Sequence, residues 1–221
     1  MSRGLGDVYK RQGVPSIIMQ SISSVMTFGM NKILIGFSET AVAVFGVYFK
    51  LQSFIFMPIF GLNNGMIPII AYNYGARNKK RIMETVRLSI GIAVGIMLIG
   101  LMVFHLMTPQ LLMLFQADEE MLSIGVPALR IISLSFLFAG YCIIVGSVFQ
   151  ALGNGVYSLI ISVARQLVCI LPLAWFFART FGLHAVWLSL PLAEITSVVL
   201  SSILFRKIYL DKIKPLGQPA A

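Results

Sequence analysis

Charge is what this sequence has least of. Of 221 residues, 11% are charged and eight of those are acidic, while 58% are hydrophobic and mean hydropathy is +0.90. A soluble domain carries roughly 25% charged residues, so this chain cannot clothe a water-facing surface. A soluble fold, a disordered chain and a coiled coil are excluded together. Cysteine is also scarce. Cys142 and Cys169 each sit in an apolar run, which offers neither a disulfide framework nor a paired-thiol metal site. HExxH, GxSxG and Walker motifs are missing, and no apolar run holds paired carboxylates. His105 and His184 lack acidic or thiol neighbours at ligand spacing and read as side chains at helix ends. The expectation is neither an enzyme nor a holder of metals or cofactors, and the chain contains no nucleotide-binding domain to drive transport by ATP.

Apolar length is what the sequence has in abundance. About 20 apolar residues in a helix cross a hydrocarbon core about 30 Å thick. Runs of that order lie at 14–36, 41–72, 85–107, 124–150, 155–178 and 184–205. They lack the ten-residue alternation of an outer-membrane barrel, and backbone groups in lipid must be satisfied within the segment. The fold class expected is therefore all-α, a polytopic membrane protein of six transmembrane helices. The segment 108–121 is too short to span and reads as an interfacial helix capped by Asp118, Glu119 and Glu120.

Alternating the connections between two faces puts eleven Lys and Arg on the face that carries both termini, the 73–84 loop and the 151–154 turn. Arg179 alone falls in the opposite connections, beside four acids. This bias predicts that both termini are cytoplasmic. It also explains the net charge of +9 as membrane topology rather than as a nucleic-acid surface. Trp175 and Trp187 flank the 178–184 turn, where an interfacial aromatic belt is expected. Residues 1–12 lack the apolar core of a signal peptide. They look like adapter-derived read-through, so the native chain is expected to begin further upstream. The organisation expected is a non-native tail at 1–12, a six-helix lobe at 13–207 and a basic cytoplasmic tail at 208–221.

Polar groups at membrane depth carry information because a central charge costs roughly 2.5–3.5 kcal/mol on insertion scales. Lys50, Arg165 and Glu194 lie well inside spans. Arg165 and Glu194 belong to consecutive, antiparallel spans and reach similar depth, which predicts an ion pair, either static or part of a cation- or proton-sensitive site. Lys50 is expected to face a water-filled cavity or to share Glu194. The 41–72 run is 32 residues, about 48 Å of helix, and concentrates Pro58, Gly61, Asn63, Asn64, Gly65 and Pro68. Proline removes a ladder donor, so Pro58, Gly61, Gly65 and Pro68 are hinge or kink candidates. Asn63 and Asn64 are candidates to line a transport path, since interrupted helices near the midplane are where transporters place their sites. Gly61 with Gly65, and Gly91 with Gly95, are small-xxx-small pairs suited to close helix approach. Twelve Met and sixteen Phe suit a pliable apolar cavity and lipid contact alike.

Several segments resemble one known family. Gly13-Val14-Pro15, Phe49-Lys50-Leu51-Gln52-Ser53-Phe54, Met57-Pro58-Ile59-Phe60-Gly61-Leu62-Asn63-Asn64-Gly65 and Pro68-Ile69-Ile70-Ala71-Tyr72-Asn73-Tyr74-Gly75-Ala76-Arg77 are similar to the multidrug and toxic compound extrusion (MATE) family. So are Phe149-Gln150-Ala151-Leu152-Gly153-Asn154-Gly155, Arg165-Gln166 and Trp187-Leu188-Ser189 with Glu194. The resemblance covers about 13–215 and has a bacterial multidrug-efflux flavour. It implies the C-terminal six-helix lobe of a twelve-helix antiporter in the bacterial cytoplasmic membrane. Such a lobe exports drug-like, often cationic compounds in exchange for H⁺ or Na⁺ by alternating access. It further implies a partner, either an N-terminal lobe of the same native chain or a second copy. Some members carry carboxylates in the first and fourth helices of this lobe. Here those spans hold Gln20, Ser21, Ser23 and Tyr141 instead, leaving Glu194 as the local carboxylate. Two other readings stand beside this one: a lipid-linked oligosaccharide flippase of the same superfamily, and a non-transporting membrane scaffold.

Overall fold

The structure is a computed structural model that describes residues 2–217, with side-chain exposure from 17 to 216. Among those residues there is no strand. Eight helices follow in order: α1 Ser2–Leu34, α2 Glu39–Gly75, α3 Lys79–Leu106, α4 Thr108–Met113, α5 Glu119–Ser133, α6 Phe136–Ala151, α7 Gly155–Thr180 and α8 Leu183–Leu216. The helices α2, α3, α7 and α8 are each long and apolar enough to cross a membrane. Helices α5 and α6 pass the same test together as a bent pair, and α1 carries most of the 14–36 apolar run, so the described residues form an all-α membrane fold.

The polar breaks in the sequence terminate these helices for identifiable reasons. Ser38 caps α2 by accepting from the Ala41 amide at 3.1 Å, and Asn78 caps α3 by accepting from Arg81. Asp118 caps α5 by accepting from Met121 at 2.8 Å. Each satisfies an amide that the first helical turn leaves without a partner. Gly153 and Gly182 adopt positive φ at the two tight inter-helix turns, where a side chain would be strained.

Three features depart from the sequence expectation. The run 124–150 is not one straight rod, because α5 and α6 meet at 49°. At Leu134, Ser135, Leu137 and Phe138 the amides bond three residues back instead of four, and this tightening breaks the axis. Conversely α2 runs unbroken through Pro58 and Pro68. The residues 208–216, expected as a tail, continue α8 and dock: Ile208 and Ile213 are buried, and Lys212 Nζ donates to the Leu152 carbonyl at 2.8 Å. Residues 218–221 lie outside the described residues.

Apolar burial drives helices together weakly in lipid, where van der Waals packing does most of the work. A glycine accordingly lets α6 come close to the backbone of α3. A Cβ on Gly140 of α6 would lie 3.1 Å from the Ala93 backbone of α3. Around this pair run edge-to-face rings, Phe56–Phe136–Phe104, with centroids 5.6 and 5.2 Å apart. The pairs Gly61/Gly65 and Gly91/Gly95, by contrast, have nothing within 4 Å of a would-be Cβ among the described residues. They serve no helix approach inside this lobe.

Candidate functional site

The centre of the lobe is set by an irregularity in α7. Residues Ala164–Ile170 form a π-helical turn immediately before Pro172. Proline has no amide to give the carbonyl four residues back, and its ring crowds that carbonyl. The backbone widens by one residue in response, and such π turns recur at functional sites. The widened turn carries Arg165 and Gln166.

Arg165 Nη1 donates to Glu194 Oε1 of α8 at 2.6 Å. The Glu194 side chain is 9% exposed and that of Arg165 32%. The pair is incompletely satisfied. Arg165 Nε and Glu194 Oε2 find no hydrogen-bond partner among the described residues, and neither do the buried Asn63 Oδ1 and Ser201 Oγ. Trp187 Nε1 is unpaired as well. Buried polar atoms are overwhelmingly paired in folded proteins, so the unpaired atoms of Arg165, Glu194 and Asn63, which line the cavities beside the pair, mark polar space at membrane depth.

That space is two cavities, and Arg165 lines both. The larger, about 360 Å³, lies toward the end of the lobe that holds the 151–154 turn and includes Asn63, Asn64, Gln150, Ser158 and Ser162. The smaller, about 150 Å³, lies on the other side of the pair against α1 and the first half of α2, with Ser23, Thr27, Tyr48, Gln52, Gln166 and Glu194. A volume of roughly 300–1,000 Å³ suits a drug-sized ligand. The larger cavity falls in that range and the smaller does not, though it has room for water or a bare cation.

The remaining sequence candidates fall elsewhere. Lys50 is exposed, with Nζ 5.7 Å from the Phe115 ring centre beyond α4, and it neither lines these cavities nor meets Glu194. Gln20 is exposed on α1 and outside both linings. Pro58, Gly61, Gly65 and Pro68 share an exposed face of α2 with Phe54, Met57 and Tyr72. The expected aromatic belt is half present. Trp175 is exposed under Arg179, whereas Trp187 is fully buried 6.3 Å from the Phe45 ring. The helical turn at Trp187 and Leu188 directs that indole into the core. His105 Nδ1 lies 3.2 Å from Ser133 Oγ, away from either cavity. Sequence reasoning named Gln166 only within a family motif and missed Tyr48 and the π turn, although Pro172 in an apolar run was the available signal for the last.

The MatE family profile matches residues 15–176. This chain belongs to the MatE family. It is 29% identical over 182 residues to the multidrug export protein MepA of Staphylococcus haemolyticus, covering 82% of this chain and 40% of that protein. It is 28% identical over 194 residues to MepA of Staphylococcus aureus, covering 86% and 42%. Among solved structures, the outward-facing conformation of a multidrug resistance MATE transporter of the MOP superfamily matches with TM-score 0.88 at 25% identity. That match covers 97% of this chain and 48% of the other. A MOP superfamily transporter from Pyrococcus furiosus, described as having a binding pocket of reversed polarity, matches with TM-score 0.88 at 26% identity over 99% and 49% of the two chains. The chain spans about two-fifths of the length of the curated relatives it matches and about half of the solved ones. It is a multi-pass membrane chain of that family.

Proposed function

We propose that this lobe serves a secondary active antiporter that exports drug-like, often cationic compounds in exchange for H⁺ or Na⁺. The observation that carries the reading is the Arg165–Glu194 pair standing between two polar-lined cavities stacked along the lobe. An alternating-access transporter needs a septum at membrane depth that two states can arrange differently. In this reading the larger cavity is substrate space, with Asn63 and Asn64 as its uncharged polar contacts. The unpaired Glu194 Oε2 faces the water- or cation-sized side, and the coupling ion arrives there. A cation reaching Glu194 competes with Arg165 for the same carboxylate, which links ion binding to the septum. The loops bearing most Lys and Arg, with both termini, face the cytoplasm.

The exposed α2 face around Gly61 and Gly65 is the surface assigned to a second lobe, in the same native chain or in another copy. A lipid-linked oligosaccharide flippase asks for rings of basic residues along its cavity, and here the two cavities hold Arg165 and no Lys. A scaffold has no use for orphaned polar atoms at depth.

The test is the complete gene carrying this chain, expressed in an efflux-deficient bacterium. Growth inhibition by lipophilic cations and ethidium efflux from energised cells would be measured. The expected result is raised resistance and ion-gradient-dependent efflux, both lost in Glu194→Gln. Unchanged resistance at verified membrane abundance would sink the proposal.

A further inference from the structure

A third cavity lies far from the charged pair. At about 1070 Å³, it opens where the α2–α3 connection meets the last turns of α8. Its lining gathers Arg77, Lys79, Lys80, Arg87 and Arg206 against one acid, Glu84. That acid is partly engaged, since Lys80 Nζ lies 4.0 Å from its carboxylate and both side chains are largely exposed. Lys79 Nζ sits 5.4 Å from the Tyr209 ring centre, and both residues line the cavity. The floor is apolar, with Met83 and Phe205. Like charges that gather in one concavity repel each other, and a bound anion removes the repulsion.

What lies along the helices from this cavity identifies the anion's source. Helices α3 and α8 both pack on α6 and approach each other directly near residues 214–217, so that α6 floors a groove between them. The Tyr141 hydroxyl of α6 and Ser202 Oγ of α8 lie 3.0 Å apart on that floor. One to two turns deeper, on the sides that continue the cavity linings, α3 carries the half-buried Ile90 and Val94 and α8 exposes Ile195 and Val199. The molecule thus presents a cationic mouth that leads into an apolar groove along the helix axes. A free anion has no use for such a groove, whereas an acyl chain fills it.

We propose that this cavity binds the phosphate headgroup of an anionic phospholipid, with an acyl chain in the α3–α8 groove. Arg87 and Arg206, at the inner edge of the mouth, reach the phosphodiester. Arg77, Lys79 and Lys80 ring it from the water side. Basic pockets between spans on the positively charged face suit such headgroups.

Native mass spectrometry of the purified protein in detergent, titrated with dioleoyl phosphatidylglycerol or dioleoyl phosphatidylcholine, tests this. The expected result is one retained phosphatidylglycerol per chain in clear preference to phosphatidylcholine. At about 1 kcal/mol for each basic group near an anionic surface, removing two should weaken retention roughly twenty- to thirtyfold. That is the expectation for Arg87→Gln with Arg206→Gln, while Arg179→Gln at the opposite end changes nothing. Glu84→Gln, which removes the opposing charge, should tighten retention about fivefold. This arm keeps the proposal refutable should the double variant fail to fold. Equal retention of the two lipids overturns the proposal, as does no phosphatidylglycerol adduct, or an unweakened double variant. Displacement of the lipid by millimolar inorganic phosphate, or equal binding of a dihexanoyl analogue, overturns it in favour of a free-anion site.

Discussion

The Arg165–Glu194 pair makes the sharpest quantitative expectation. Removing one member of a buried pair leaves an uncompensated charge and costs about 3–5 kcal/mol, whereas replacing both by neutral groups is often nearly free. The structure predicts an asymmetry within that range. Glu194 is 9% exposed and has a second oxygen with no partner, while Arg165 is 32% exposed and lines two cavities. A carboxylate abandoned in Arg165→Gln keeps only the smaller cavity beside it. A guanidinium abandoned in Glu194→Gln can turn toward the larger cavity. Arg165→Gln should therefore fall near the top of the range and Glu194→Gln near the bottom, and the double variant should cost less than either single.

The assay is unfolding in detergent–dodecyl sulfate mixed micelles, followed by circular dichroism, for the parent, both singles and the double. Singles within about 0.5 kcal/mol of the parent would refute the claim that this pair is buried and coupled. Ethidium efflux is measured in parallel, and it separates glue from gate. A static bridge predicts that the double variant regains both stability and transport. A septum predicts regained stability with transport still lost, so near-normal efflux by the double variant refutes the transport role.

Pro172→Ala should let the α7 ladder close at 3.6 residues per turn, rotating Arg165 off Glu194 by about 100°. Its unfolding cost should then vanish in a Glu194→Gln background, and simple additivity would show that the π turn does not position Arg165. Gly140→Val should destabilise the lobe by about 1–3 kcal/mol because its side chain meets the Ala93 backbone. Gly61→Ala should leave lobe unfolding unchanged within about 0.5 kcal/mol, since nothing lies within 4 Å. Lipid-borne bromine should quench Trp175 but not Trp187, so Trp175→Phe should lose most of the quenching. Strong quenching in that variant would contradict the burial of Trp187. Ile213→Asp should free the end of α8, read as faster tryptic cleavage at Lys207 and Lys212, and an unchanged rate would mean that the segment is not docked.

How much of this was legible depended on which coordinate of a residue was needed. Hydropathy and charge report depth along the membrane normal, because lipid punishes polarity by depth. The apolar runs and the polar breaks at 38–40, 77–81 and 117–120 are statements about depth, and helices of the structure end and begin close to them. The breaks were harder. Pro58 and Pro68 were visible and the ladder absorbed them, whereas the α5–α6 bend sits at Leu134 and Ser135 with no proline to announce it. Pro172 was visible too, but a proline does not state whether the backbone will kink, widen to a π turn or stay nearly straight.

Azimuth, the direction a residue faces around its helix, is what a uniformly apolar span hides. On an amphipathic helix the polar stripe names the solvent side, but here α2 and α8 are apolar nearly all round, so nothing in the sequence marks the inward face. Lys50 and Arg165 show the consequence. Both lie at charged depth in the sequence, yet Arg165 points inward to a carboxylate and Lys50 points outward over Phe115. Arg165 was placed correctly because a second charge, Glu194, stood at the same depth on the next antiparallel helix, and two expensive charges are cheapest together. Lys50 had no such partner within reach. Trp187 failed for the same reason in reverse, since its place beside a turn left its direction open and its ring is buried against Phe45. A residue's azimuth becomes readable from one sequence when a second residue is needed to neutralise it, and the charged pair at the centre of this lobe meets that condition.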